Sequence, residues 1–157
     1  SFDVDMIDAG SGMAQVLPVL TGVALGRSHD ATEGGYVLAA EEPESGLHVN
    51  AQRALAQWLC ERANDAAAGT SFVFETHSRA FILAIQLAVA RGELSPASLA
   101  VYWLEQRQDG STHAAEVSFD RKGRPSSAWP VDAFADEREL AALLVDEQLA
   151  ALEDEVT

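Results

Sequence analysis

Apolar residues change their period several times along the chain, and each change predicts an element. Phe2, Val4 and Met6 alternate with Asp3 and Asp5, the two-residue period of a half-buried strand over residues 2–7. Gly10-Ser11-Gly12 ends the alternation, and from Met13 to Leu25 the residues Val16, Leu17, Val19, Leu20, Val23 and Ala24 recur at helical spacing. Pro18 falls within this helix, where it is tolerated only in the first turn or two. A polar loop then leads into Tyr36-Val37-Leu38-Ala39-Ala40, an uninterrupted apolar run of the kind found in a central parallel strand, which stops at Glu41-Glu42-Pro43-Glu44. Asn50 is a suitable cap for a helix running to Ala68, with Ala51, Leu55, Trp58, Leu59 and Ala63 on its apolar positions and Gly69 as its stop. Phe72-Val73-Phe74 predicts a second buried strand ending at Glu75-Thr76-His77-Ser78, followed by a helix from Arg79 to Arg91 with Gly92 beyond it.

The order strand, helix, strand, helix is that of an α/β fold with a parallel sheet flanked by helices. Residues 98–106 and 112–119 predict two further strands joined at Asp109-Gly110, a hairpin expected at the edge of that sheet. Leu140, Leu143, Leu144 and Leu149 line one face of an acidic C-terminal helix over 136–155.

Length and charge narrow the functional classes. A chain of 157 residues suits one domain with a real core. Its net charge of −15 repels phosphate backbones and anionic lipid, which argues against direct nucleic-acid binding by this segment. A single cysteine, Cys60, excludes an intrachain disulfide and any paired-cysteine metal site. The most apolar stretch, residues 81–90, is too short to span a bilayer, and no basic-then-apolar leader opens the sequence, so a cytoplasmic location is expected. The first residue, Ser1, fits a truncated or processed chain.

Three polar clusters fall at strand ends or just before helices, where parallel α/β sheets place their ligands: Gly10-Ser11-Gly12, Glu41-Glu42-Pro43-Glu44 and Glu75-Thr76-His77-Ser78. Adjacent carboxylates after a short apolar strand suit nucleotide hydrolysis, one in a Mg²⁺ shell and the other on the attacking water. An acidic surface loop in an acidic protein reads the same way. Alone, a histidine such as His77 at a strand end is more often a structural hydrogen bonder than a catalytic group, and Gly-Ser-Gly is mostly a turn.

Taken together and in this order, the three clusters resemble the C-terminal half of ABC-type P-loop ATPases, and more closely the SMC-like and OLD/RecF-like predicted ATPases of bacteria. Residues 37–44 with Leu47-His48 are similar to that family's Walker B strand and D-loop. Residues 72–78 are similar to its switch-histidine strand, and residues 8–20 to its signature loop and helix. Gly92-Glu93-Leu94-Ser95-Pro96, Val101-Tyr102-Trp103 and Trp129-Pro130 resemble the extension that follows the ATPase core in one such group. The resemblance implies Glu41 as the Walker B acid on Mg²⁺, Glu42 as the residue polarising the lytic water and His77 as a contact to the γ-phosphate. Gly10, Ser11 and Gly12 would present backbone N–H groups to ATP held by a partner subunit, a homodimer or heterodimer closing across the nucleotide.

The sequence also departs from the pattern. No Gly-x-x-x-x-Gly-Lys-Ser/Thr loop occurs, and the only lysine is Lys122. Ala14 stands where a signature serine is expected, and Ser45-Gly46 and Val49 replace a usual Leu-His and Pro. Residues 1–95 are thus expected to be the C-terminal lobe of the ATPase core and 96–157 an extension packed on the same domain. The chain would be a fragment or half of a split enzyme, inactive until an N-terminal P-loop lobe is supplied. Two rivals stand beside this reading: a degenerate, non-catalytic interaction module of the same fold, and an unrelated hydrolase using Ser78 or Ser11 with His77, which lacks a Gly-x-Ser-x-Gly elbow.

Overall fold

A computed structural model describes residues 11–28, 35–66, 69–126 and 129. The strand expected over 2–7, Gly10 and the acidic helix over 136–155 lie outside the described residues. The described elements run α1 (Ser11–Ser28), β1 (Tyr36–Glu41), α2 (Val49–Asn64), β2 (Thr70–Glu75), α3 (Arg79–Ala90), a 3₁₀ turn at Pro96–Ser98, β3 (Val101–Gln106) and β4 (Thr112–Val117). The fold is α/β, with one parallel and one antiparallel sheet segment and three α-helices among the described residues. The chain divides into two compact units, one formed by residues 1–100 with 118–124 and the other by 101–117 with 125–157.

In the first unit β1 and β2 pair in parallel, Tyr36 opposite Thr70 through Glu41 opposite Glu75, with α2 as the crossover. Side chains alternate strictly: Tyr36, Leu38, Ala40, Thr70, Phe72 and Phe74 turn inward, and the residues between them turn to solvent. Val16, Val19 and Val23 of α1, Leu55, Ala56 and Leu59 of α2 and Phe81 of α3 form one core, against which Leu38, Ala40, Phe72 and Phe74 pack. All three helices therefore serve the same face of the sheet. The opposite face carries no helix among the described residues, with Val37 at 64% and Val73 at 56% exposure. The uninterrupted apolar run at 37–40 anticipates cover on both faces, as parallel sheets normally have, and the described residues supply one layer only.

Helix α1 lies close on β1 because Gly22 and Gly26, one turn apart, carry no side chain toward it. A methyl group at Gly22 would come within 2.6 Å of Leu38, and one at Gly26 within 2.7 Å of the Tyr36 ring. The Tyr36 hydroxyl donates to the Gly22 carbonyl at 2.7 Å and fixes this contact. Pro18 sits on the exposed side near the end of the second turn, where the carbonyl it leaves without an i+4 donor can reach water.

Two helix boundaries differ from the sequence expectation. His48, not Asn50, caps α2, its Nδ1 accepting from the Asn50 N–H, and the helix ends at Asn64, short of Ala68. Ser78 caps α3 by accepting from the Phe81 N–H, and Gly92, at φ +72, closes its other end as expected.

The hairpin β3–β4 belongs to the second unit and pairs Val101 with Val117 through Gln106 with Thr112. It forms its own two-stranded sheet, not the edge of the parallel one as expected. Within this unit Val117 is buried, and Trp103 packs on Trp129 with ring centroids 6.0 Å apart. No helix among the described residues is long and apolar enough to cross a membrane.

Candidate functional site

The carboxyl end of the parallel sheet is built from the turn after β1 and the loop after β2. The parallel ladder continues one residue past β1, where the Glu42 N–H donates to the Glu75 carbonyl at 2.9 Å. The backbone then reverses. Glu42 has φ +41, the only positive φ at a non-glycine residue among the described residues, and the Ser45 N–H closes the turn on the Glu42 carbonyl at 2.9 Å. A left-handed conformation at such a residue costs on the order of 1–3 kcal/mol and persists only where its surroundings fix it. Here Pro43 and Glu44 are buried directly behind it.

The loop after β2 brings His77 to this turn. Its Nε2 lies 3.7 Å from Glu42 Oε1 and 3.6 Å from Glu75 Oε1, ion-pair distances when the imidazole is protonated, and all three side chains are exposed. Glu41 is the register partner of Glu75, and both fall on the outward positions of the sheet. The structure thus gathers Glu41, Glu42, Glu75 and His77 at one end of two adjacent parallel strands. Glu75 belongs to this group although no role was expected for it. The two-residue period that makes it Glu41's neighbour was the signal available.

The glycine-serine loop is described only in part. Gly10 lies outside the described residues, Ser11 opens α1, and Gly12 is buried against the turn after β1. A methyl group at Gly12 would stand 2.6 Å from the Gly46 carbonyl oxygen and 3.0 Å from Leu47. The N-terminus of α1 therefore abuts the same turn that carries Glu42.

No group of three or more His, Cys, Asp or Glu side chains able to hold a metal by itself occurs among the described residues. A protein cage is not what Mg²⁺ requires, since it keeps several waters and takes one or two carboxylates alongside substrate phosphates. One outward carboxylate at a strand end, Glu41, suits that shared mode. Ser78 is committed elsewhere: its hydroxyl donates to Gln52 Oε1 at 2.7 Å and accepts from the Phe81 N–H at 3.1 Å. A nucleophilic Ser78–His77 pair is not formed among the described residues.

A protein-family model described as "AAA domain, putative AbiEii toxin, Type IV TA system" matches residues 2–84, just over half of the chain. The chain belongs to this family. The match spans α1, β1, α2 and β2 and ends within α3, so the AAA domain includes the whole carboxylate–histidine cluster and the turn that Gly12 abuts. The AAA-domain family is one of P-loop ATPases in the broad sense. No curated protein and no solved structure matches the chain.

Proposed function

We propose that this chain is the C-terminal lobe of an ABC/SMC-type ATPase, hydrolysing ATP with Mg²⁺ once a lobe carrying the phosphate-binding loop joins it. The observation that carries the reading is the exposed face of the parallel sheet, which no described helix covers. Val37 and Val73 are exposed on a sheet type that ordinarily has helices on both faces, so the described part has the form of a structure awaiting a second layer. Absence of a Gly-x-x-x-x-Gly-Lys-Ser/Thr loop from the sequence agrees with that need.

In this reading Glu41 joins the Mg²⁺ shell, and the metal, when bound, neutralises charge on the transferring phosphoryl group. Glu42 accepts the proton of the attacking water, its strained turn holding the carboxylate forward of the strand end. His77 donates to the γ-phosphate. Gly10, Ser11 and Gly12 present α1's N-terminus to a nucleotide on a second subunit, homodimeric or heterodimeric. Residues 1–95 form the lobe and 96–157 its extension. The family's description names a type IV toxin–antitoxin system, and defence against phage is a setting in which such a cycle would act.

Complementation tests the reading. The chain alone should show no calorimetric binding of Mg-ATP, and adding the P-loop lobe, encoded upstream or by a neighbouring gene, should create it. Micromolar affinity in the chain alone contradicts the proposal. A stable complex that still binds no nucleotide contradicts it equally and favours the non-catalytic interaction module.

A further inference from the structure

Glu44 is the single buried charged side chain among the described residues, at 4% exposure. Its Oε1 accepts a hydrogen bond from the Thr76 hydroxyl, while its Oε2 is buried with no partner. Burying a carboxylate on one hydrogen bond is a poor source of stability, because desolvation outweighs what a single donor returns. The geometry around it is better satisfied. Thr76 Oγ1 also accepts from the Ser78 N–H at 3.0 Å, Ser78 Oγ donates to Gln52 Oε1 at 2.7 Å, and Gln52 Nε2 donates to the Leu47 carbonyl at 3.0 Å. Leu47 lies three residues beyond Glu44, and its N–H donates to the Glu44 carbonyl at 3.1 Å. The bonds form a closed circuit, from Glu44 across to Thr76 and Ser78 and back through Gln52 and Leu47.

That circuit ties the two loops of the candidate site together, with Gln52 of α2 as the bridge. His77 stands between Thr76 and Ser78, both members, and Glu42 opens the turn that Glu44 and Leu47 complete. We infer that Glu44 and Thr76 are positioning residues, a strut fixing the turn that carries Glu42 against the loop that carries His77. This rests on the hydrolytic roles proposed for that pair. The strut's value lies in geometry, since a misplacement of about 1 Å at a reacting centre can slow catalysis on the order of 10²-fold.

The role separates from a structural one because an apolar replacement of both partners leaves neither half of the Glu44–Thr76 bond unsatisfied, the Ser78 N–H alone losing its acceptor. In the Glu44→Met/Thr76→Val chain, the thermal midpoint should stay near that of the unaltered chain. Amide exchange at residues 42, 44–47 and 77, leaving out Ser78 whose own acceptor is removed, should accelerate about fivefold or more, the effect of one lost net hydrogen bond. In the enzyme completed by its P-loop lobe, kcat should fall on the order of 10²-fold with KM held within about twofold. Glu44→Gln keeps an acceptor for Thr76 and should restore exchange and kcat together. Unchanged exchange in the double variant overturns the strut. Faster exchange with unaltered kcat overturns the positioning role, and so does a loss of thermal stability large enough to explain the kinetic loss. Glu42→Gln run alongside identifies the other failure: if it retains full turnover, the hydrolytic reading falls, and exchange in this chain alone still decides whether the strut exists.

Discussion

A methyl group placed on Gly12 would come within 2.6 Å of the Gly46 carbonyl oxygen, so the first turn of α1 and the turn after β1 meet backbone to backbone. The contact admits no side chain at Gly12, and Gly46 is itself at φ +73. Gly12→Ala should lower stability by about 1–3 kcal/mol, the usual cost of overpacking against an unyielding neighbour. Thermal unfolding followed by circular dichroism measures it, with Ala14→Ser, at an exposed position of the same helix, as the neutral control.

Strain at Glu42 predicts a variant that gains stability while losing its proposed function. Asparagine tolerates the left-handed region better than glutamate. Glu42→Asn should therefore raise stability by up to about 1 kcal/mol, a shift of roughly 2–4 °C for a domain of this size, and abolish turnover in the completed enzyme. A lower midpoint would show that the turn does not store strain.

The exposed sheet face gives a prediction in which fold and assembly separate. Val37→Lys and Val73→Lys place charges on side chains already more than half exposed, so the chain alone should keep its stability within about 0.5 kcal/mol. The same charges should weaken its binding to the P-loop lobe by tenfold or more, because each is desolvated in the complex, roughly a 1.4 kcal/mol effect at least. Titration calorimetry of the two polypeptides reads the difference.

Cys60 supplies a pH-dependent signature of the core between α2 and its neighbours. Burial, with smaller contributions from Glu93 and Glu61, pushes its thiol up to about 11. The folded state holds this proton more tightly than the unfolded chain, so its contribution to stability is complete below the ordinary thiol range and is lost as pH rises toward 11. Native Cys60 should react negligibly with iodoacetamide at pH 8, and chemical unfolding should restore ordinary reactivity. Rapid native labelling at pH 8 would mean that α2 opens locally.

Periodicity made the elements of the first unit legible, and it also misled where it carried too little. The run at 37–40 correctly marks a strand, yet no local pattern says that the second layer over Val37 is missing from the described residues. Asn50 is the better cap by residue type, yet the cap is His48, an unusual acceptor for that position, and Asn50 donates its own N–H to the ring nitrogen. Glu41, Glu42 and His77 were readable as candidates because strand ends are where such chemistry collects. Glu44 was not distinguishable from its acidic neighbours, since its burial follows from the reversal at Glu42, a backbone event that charge and spacing do not reveal. The hairpin's pairing was evident from the turn at Asp109-Gly110, whereas its forming a sheet of its own is a matter of long-range pairing that local pattern does not carry.

The central claim is that Glu42 is the base of a Mg-dependent ATPase completed by a second lobe, and ATP turnover by Glu42→Gln in that completed enzyme tests it most directly. The amide preserves the shape of the side chain and its hydrogen bond to water but cannot accept the proton. Turnover should fall by roughly 10²- to 10⁴-fold while Mg-ATP affinity stays close to that of the unaltered enzyme. Turnover near the unaltered rate would contradict the account.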